Sequence, residues 1–303
     1  MVRFKIADHI IDIEGVTSQE AAQFLPSFAP FILDKSASPP LLKVVVGAQI
    51  EAPSPLALPL EQFSRNSFAY TIFKGEGHSL IVEIGRKNGS TIQTLKKRYL
   101  MHLSKERGVA ECNFLLDSAA KGFILSSFIM IAFTLASAEE SSTKIHASAI
   151  VKGGRAILFL GKSGTGKSTH ARLWVENIEG AKLLNDDEPI VRIMEDGKLF
   201  AYGSPWSGKT PCYINSRAEV AAFVLLEQAK ENRLKKLEGV EAFTGIYQSA
   251  AILRSNSEHR QELFQNISKI ITLAPTYSLK CLPNRDAVLL SHSILELYED
   301  KAN

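Results

Sequence analysis

The segment Gly161-Lys162-Ser163-Gly164-Thr165-Gly166-Lys167-Ser168 constrains the fold of this chain more than any other. It follows a short apolar run, Ile157-Leu158-Phe159-Leu160, and runs into Thr169-His170-Ala171-Arg172-Leu173-Trp174-Val175, which continues as a helix. A complete G-x-x-x-x-G-K-[ST] between a strand and a helix specifies a tight loop whose backbone amides turn inward as an anion-binding nest. The helix start adds unpaired N–H groups and a positive dipole end. Residues Gly161 through Thr169 are therefore expected to cradle the phosphates of ATP, with Lys167 reaching the β- and γ-phosphates and the Ser168 hydroxyl ligating Mg²⁺. His170 reads as a residue of the helix surface.

The surroundings of the loop point to a mixed sheet. KIHASAIV and AILFLG are apolar runs joined by Lys152-Gly153-Gly154, a hairpin signal, so the strand before the loop strand is expected to run antiparallel to it. About twenty residues past the loop, Leu183-Leu184-Asn185-Asp186-Asp187-Glu188 reads as a strand ending in adjacent carboxylates. Successive strand residues point to opposite faces, but a turn at the strand end brings both toward one site. One carboxylate would bind Mg²⁺ and the other would take a proton from an attacking hydroxyl; the residues do not decide which of Asp186 and Asp187 is the base. Farther on, Gly203-Ser204-Pro205-Trp206-Ser207-Gly208-Lys209 suggests a shaped loop. Lys209 is suited to neutralise charge on a transferred phosphoryl group. Trp206 either stacks on a base or substrate or is simply packed. Arg217 and Arg254 are weaker candidates for binding phosphate or carboxylate.

GKSGTGKST followed by NDDE is similar to the nucleotide loop and acidic metal motif of ATP-dependent phosphoenolpyruvate carboxykinase, and to the C-terminal catalytic domain of HPr kinase/phosphorylase. The resemblance covers residues 144–192 well and extends weakly to about 290. In the bacterial kinase a His-containing strand, a hairpin, the loop and an Asp-Asp pair occur in this order; here they are His146, Gly153-Gly154, the loop and Asp186-Asp187. The resemblance implies that Lys167 binds phosphates, that Ser168 and the Asp pair serve the metal and the general base, and that His146 lies near the transferred phosphoryl group. Read without it, His146 is a core histidine. The chain departs from HPr kinases at Thr169, where they usually carry Glu, and at Ala147, where they carry Gly after the histidine. It lacks their second Arg- and Gly-rich signature, and it is much shorter than a carboxykinase. Related stand-alone kinases of this fold, including those acting on lasso-peptide precursors, phosphorylate a serine hydroxyl in a peptide.

The rest of the chain sets the frame. Its 303 residues suit one large domain or two modest ones. RFKIADHIIDIEG and LLKVVVGAQI read as strands, and AYTIFKGEGHSLIVEIG as two strands around Gly75-Glu76-Gly77. Lys87-Asn88-Gly89 is a further turn signal. Lys96-Lys97-Arg98 reads as a solvated face, and residues 118–138 as an apolar helix. The uncharged stretch from Gly122 to Ala138 is at the lower edge of membrane-spanning length, and a buried helix is the better reading. EVAAFVLLEQ reads as a buried strand, and residues 258–271 and AVLLSHSILELYE as helices. With Glu139-Glu140-Ser141-Ser142 as the junction, the expected architecture is α/β: a β-rich N-terminal domain, 1–140, ending in the apolar helix, then a phosphoenolpyruvate carboxykinase-like P-loop domain with a mixed sheet, 141–303.

Thirty-five Lys and Arg against 32 Asp and Glu leave +3, too little to mark a nucleic-acid binder. Three scattered cysteines without CxxC fit reduced thiols, and MVRFKIADHIID has no apolar signal core, so the expected location is cytoplasmic and off the membrane. HExxH, zinc-type Cys/His spacing, GxSxG and a dinucleotide fingerprint are all missing. The expectation is an ATP- and Mg²⁺-dependent kinase acting on a hydroxyl, favoured as a serine of a peptide or small protein. The alternatives are a small-molecule kinase or carboxykinase-like phosphotransferase, and a nucleotide-binding regulatory protein without turnover. The sequence leaves self-association open.

Overall fold

A computed structural model describes residues 1–34, 38–65, 68–88, 91–208, 210–251 and 253–299. The chain is α/β with mixed sheets and forms two compact units, Met1–Ser137 with Leu253–Ser257, and Ala138–Ile252 with Glu258–Asn303.

In the first unit, strands β1 (Val2–Ile6) and β2 (His9–Glu14) form a hairpin, with left-handed φ values of 49° at Ala7 and 62° at Asp8. RFKIADHIIDIEG is thus two strands and a two-residue turn that carries neither Gly nor Pro. Helix α1 (Ser18–Phe24) starts at a capping box in which the Thr17 and Glu20 side chains bond each other's backbone N–H. Then come β3 (Leu42–Val46), β4 (Glu61–Arg65), β5 (Phe68–Lys74), β6 (Leu80–Asn88), β7 (Thr91–Leu103) and β8 (Val109–Cys112). The eight strands lie in the order β1-β2-β3-β8-β7-β6-β5-β4, with β3 parallel to both its neighbours. Lys87-Asn88-Gly89 falls where β6 meets β7, and Gly89 lies outside the described residues. Arg98 of the basic cluster holds Glu83 through two hydrogen bonds of 2.8 and 2.7 Å.

Helix α2 (Ala119–Glu139) is long and apolar enough to cross a membrane by length and composition, and two-thirds of its most apolar stretch is buried. Phe123 packs against Phe68, Phe128 against Phe114, and Phe133 against His9.

The second unit contains β9 (Ser142–Lys144), β10 (Ala147–Lys152), β11 (Arg155–Leu160), α3 (Lys167–Asn177), β12 (Lys182–Asp187), β13 (Ile190–Ile193), β14 (Leu199–Tyr202), β15 (Arg217–Gln228), β16 (Arg233–Leu237), α4 (Gly239–Ser249), α5 (Ser257–Leu273), β17 (Thr276–Cys281) and α6 (Arg285–Glu299). The hairpin β10–β11 is antiparallel, β11 and β15 are parallel, and β12 adds antiparallel to β10. From Ala156 to Leu160 the loop strand is apolar because both its faces are covered. Leu158 and Leu160 pack with Ile246 of α4 and Ile267 and Ile270 of α5. Ile157 and Phe159 pack with Ala171 and Trp174 of α3 and Val288 and Ile294 of α6.

His170 corrects the sequence reading: it is 3% exposed rather than on the helix surface. Its ring meets Phe159 edge-on at 4.6 Å, and Nε2 lies 3.0 Å from Ser291 Oγ on α6, which also accepts the Trp174 indole N–H at 2.8 Å. Without a carboxylate among these partners, burial pushes the imidazole down to about 4 from 6.5.

A neutral buried imidazole makes stability pH-dependent. Its folded value is depressed, so the unfolded chain binds the proton first and stability falls as pH drops from 6.5 toward 4. The full difference amounts to roughly 3 kcal/mol, of which about 2 kcal/mol is lost between pH 7 and pH 5. Denaturant melts of wild type and His170→Gln at these two pH values should show that loss shrinking in the variant. An unchanged pH dependence would refute the assignment.

Candidate functional site

The loop between β11 and α3 is ordered largely by its own backbone. Gly161, Gly164 and Gly166 have φ of 147°, 85° and 99°, conformations that side chains oppose. At Gly161 a Cβ would also meet Thr165 Oγ1 at 2.7 Å and the Leu226 carbonyl at 3.2 Å. Thr165 Oγ1 donates to the Lys162 carbonyl at 2.9 Å, and Gln228 at the end of β15 holds the Gly164 carbonyl at 3.2 Å. Lys162, Ser163 and Gly164 face solvent, as does Ser168, and Thr169 is half-buried on the first turn of α3.

Lys167 starts α3 and folds back under the loop. It is 7% exposed, and its ammonium donates to the carbonyls of Gly161 at 2.8 Å and Lys162 at 3.3 Å. Its Nζ also lies 3.1 Å from Nε2 of His146. Burial pulls this ammonium below its ordinary value, while Asp187 and Asp186 pull the other way.

Strand pairing brings the acids to the loop. Ala147 on β10 stands opposite Leu160, the last residue before the loop, on one side and opposite Asp187 on the other. Loop and acids are therefore two strand spacings apart, about 10 Å, at one end of the sheet. Asp186 is buried, and its Oδ1 accepts hydrogen bonds from Ser148 at 2.5 Å and Ser168 at 3.0 Å. Asp187 ends the strand with φ 109°, and this turn takes its carboxylate out of strand alternation. Its side chain is 23% exposed, and Oδ1 lies 2.7 Å from Nδ1 of His146. With Lys167 charged, His146 Nε2 must accept, which puts the ring proton on Nδ1, facing Asp187. His146 is thus part of this polar cluster and not a core residue.

Two donor sets suit a divalent cation. Ser168 and Asp186 offer hard oxygens next to the loop, the chemistry Mg²⁺ prefers. His146, Asp187 and Glu188 offer a ring nitrogen and two carboxylate oxygens within 4.8 Å of one another. In the second set Glu188 is also ion-paired with Lys144.

The other sequence candidates fare differently. Lys209 lies outside the described residues. Trp206 is 6% exposed, so its ring is packed rather than open for stacking, and its carbonyl accepts a hydrogen bond from Asn185 at 3.0 Å. Arg217, at the start of β15, lies over the Phe200 ring at 4.6 Å and donates to the Tyr202 hydroxyl at 2.9 Å. Glu219, two residues on, pairs with Arg155, so Arg217 is at the end of the sheet away from the loop. Arg254 falls in the 253–257 segment grouped with the first unit. Sequence reasoning missed Ser148, whose only signal is its place at the start of β10, two residues after His146. It also missed Asn185, whose contacts are all made by folding.

No curated protein matches the sequence. Among solved structures, the HPr(Ser) kinase/phosphatase from Coxiella burnetii is similar to this chain at 14% identity and a TM-score of 0.32, covering 52% of this chain and 92% of the other. Residues 112–283 match the family described as SynChlorMet cassette protein ScmC. That match spans more than half of the chain, and the chain belongs to the ScmC family.

Proposed function

We propose that this protein is an ATP- and Mg²⁺-dependent kinase that transfers the γ-phosphoryl group to a hydroxyl, with a serine of a peptide or small protein as the favoured acceptor. The observation that carries this reading is the convergence of the Lys167 ammonium, the Ser168 hydroxyl and the Asp186 and Asp187 carboxylates at the mouth of one glycine-rich loop. The order of elements, with an antiparallel hairpin before the loop, supports a phosphoenolpyruvate carboxykinase-like P-loop domain over the all-parallel sheet of small-molecule kinases.

The chain's own groups suit the steps of phosphoryl transfer. The loop amides and the N-terminus of α3 bind the phosphate oxygens. Lys167, hydrogen-bonded to the Gly161 and Lys162 carbonyls, moves onto the phosphates and stabilises charge on them. Ser168 and Asp186 would hold Mg²⁺, which when bound neutralises the phosphate charge. Asp186 is buried and already accepts two hydroxyl hydrogens, whereas Asp187 is more exposed, so Asp187 is assigned as the base. It takes the proton from the acceptor hydroxyl as that oxygen bonds to the γ-phosphorus and the bond to the β–γ bridging oxygen breaks, releasing ADP. His146 donates Nδ1–H to the same carboxylate and orients it.

Calorimetry with ATP and Mg²⁺ should register binding, and phosphoryl transfer should stop on chelation of divalent cations. Lys167→Ala should lower turnover by about 100-fold or more. No binding heat, or a Lys167→Ala variant as active as wild type, would sink the proposal. Asp187→Asn should cost about 10²–10⁴-fold in turnover with nucleotide affinity retained, as expected of a base. Asp186→Asn should instead weaken the Mg²⁺ dependence of nucleotide binding. The reverse pattern would exchange the two roles. Labelled ATP offered with serine peptides, sugars and hydroxy acids tests the acceptor, and transfer to sugars or hydroxy acids alone would overturn the peptide assignment.

A further inference from the structure

Among the described residues, 203–208 and 210–212 hold no group that the proposed reaction uses, yet their backbone is tied to the acid pair at many points. Asn185 is fully buried one residue before Asp186. Its amide nitrogen lies 3.0 Å from the Trp206 carbonyl, 3.3 Å from that of Cys212 and 3.4 Å from that of Ser204, and its Oδ1 accepts the Glu188 N–H at 2.9 Å. Ser204, also fully buried, donates to the Glu188 carbonyl at 2.7 Å. The Asp186 carbonyl accepts from the Gly208 N–H at 2.7 Å, Ser207 Oγ lies 2.9 Å from the same carbonyl and 2.6 Å from that of Thr210, and Asp187 forms a bridge with Ser207. Gly208 lies directly on the acid: a Cβ there would stand 3.0 Å from Asp187 Cβ and 3.3 Å from its Cγ.

We infer that residues 203–208 and 210–212 form a backbone brace that sets the direction of the Asp187 carboxylate, with Asn185 and Gly208 as positioning residues. Asn185 supplies two N–H donors shared among three carbonyls of the brace, closest to that of Trp206, and the acceptor that fixes the chain just after the acids. Gly208 permits the closest approach, because any side chain there presses on Asp187 before it touches anything else. The catalytic relevance of the brace rests on the kinase reading; its geometry does not.

Gly208→Ala is the sharper test, since Gly208 is exposed and its nearest obstacle is Asp187. The variant should melt within about 2 °C of wild type. It should bind ATP without Mg²⁺ as wild type does, and turn over ATP·Mg²⁺, with water as acceptor, at least tenfold more slowly at unchanged KM. The His146 imidazole resonances report Asp187 through the 2.7 Å contact and should shift, while those of His170 stay put. Asn185→Ala should repeat the His146 shift with a lower melting temperature. Unmoved His146 resonances in Gly208→Ala, or wild-type turnover despite a shift, would overturn the inference. If the resonances shift as expected but the wild type binds no ATP and transfers no phosphoryl group to any acceptor offered, the brace stands and the kinase reading falls.

Discussion

A buried ammonium organises the second unit. Taking a lysine amine out of water is costly unless it is paired and hydrogen-bonded. Lys167 meets that requirement with two loop carbonyls, an imidazole nitrogen and two carboxylates nearby. The requirement is mutual, because two adjacent acids at one strand end repel each other unless a cation lies close. The loop after β11, the histidine before β10 and the acids ending β12 therefore have to meet, and only a β10 lying between β11 and β12 in this register lets them.

What the sequence revealed of this arrangement follows from how local each requirement is. The glycine-rich loop was readable because positive φ at Gly161, Gly164 and Gly166 leaves its mark in the residues themselves. The β10–β11 hairpin was readable from Gly153-Gly154 and the flanking apolar runs. The acid pair was visible as a pair, but its division of labour was not, since that depends on Ser148 across a strand and Ser168 across the loop. His170 was misread because what buries it lies on α6: Ser291, 121 residues away, produces no pattern near the loop. Trp206 was left between two readings for the same reason. Its backbone is held by Asn185 and Ser204, which look like ordinary polar residues in sequence.

The first unit shows the same limit on a larger scale. Strand content is legible from the apolar runs in β1, β2, β3, β5 and β6 and the turn signals between them. Their order is not, because β3 sits between β2 and β8 with both pairings parallel, and no local residue pattern encodes such long-range partners. The Ala7-Asp8 turn is hard to read because it carries neither Gly nor Pro; Asp8 tolerates the left-handed conformation, whereas at Ala7 it is held by the hairpin.

Asp187 joins local strain to this wider network. A non-glycine residue at φ 109° costs on the order of 1–3 kcal/mol, and such a residue persists only where its surroundings over-determine it. Those surroundings are identifiable: the carbonyls of Asp186 and Glu188 on either side are both held, by Gly208, Ser207 and Ser204, and Asn185 holds the segment that carries these donors. A relaxed strand continuing through residue 187 would send the two carboxylates to opposite faces of the sheet, one of them away from the loop. The unfavourable backbone angle and the buried polar network that fixes it are thus parts of one solution. Together they let neighbouring residues on a strand present both acids to the same ammonium.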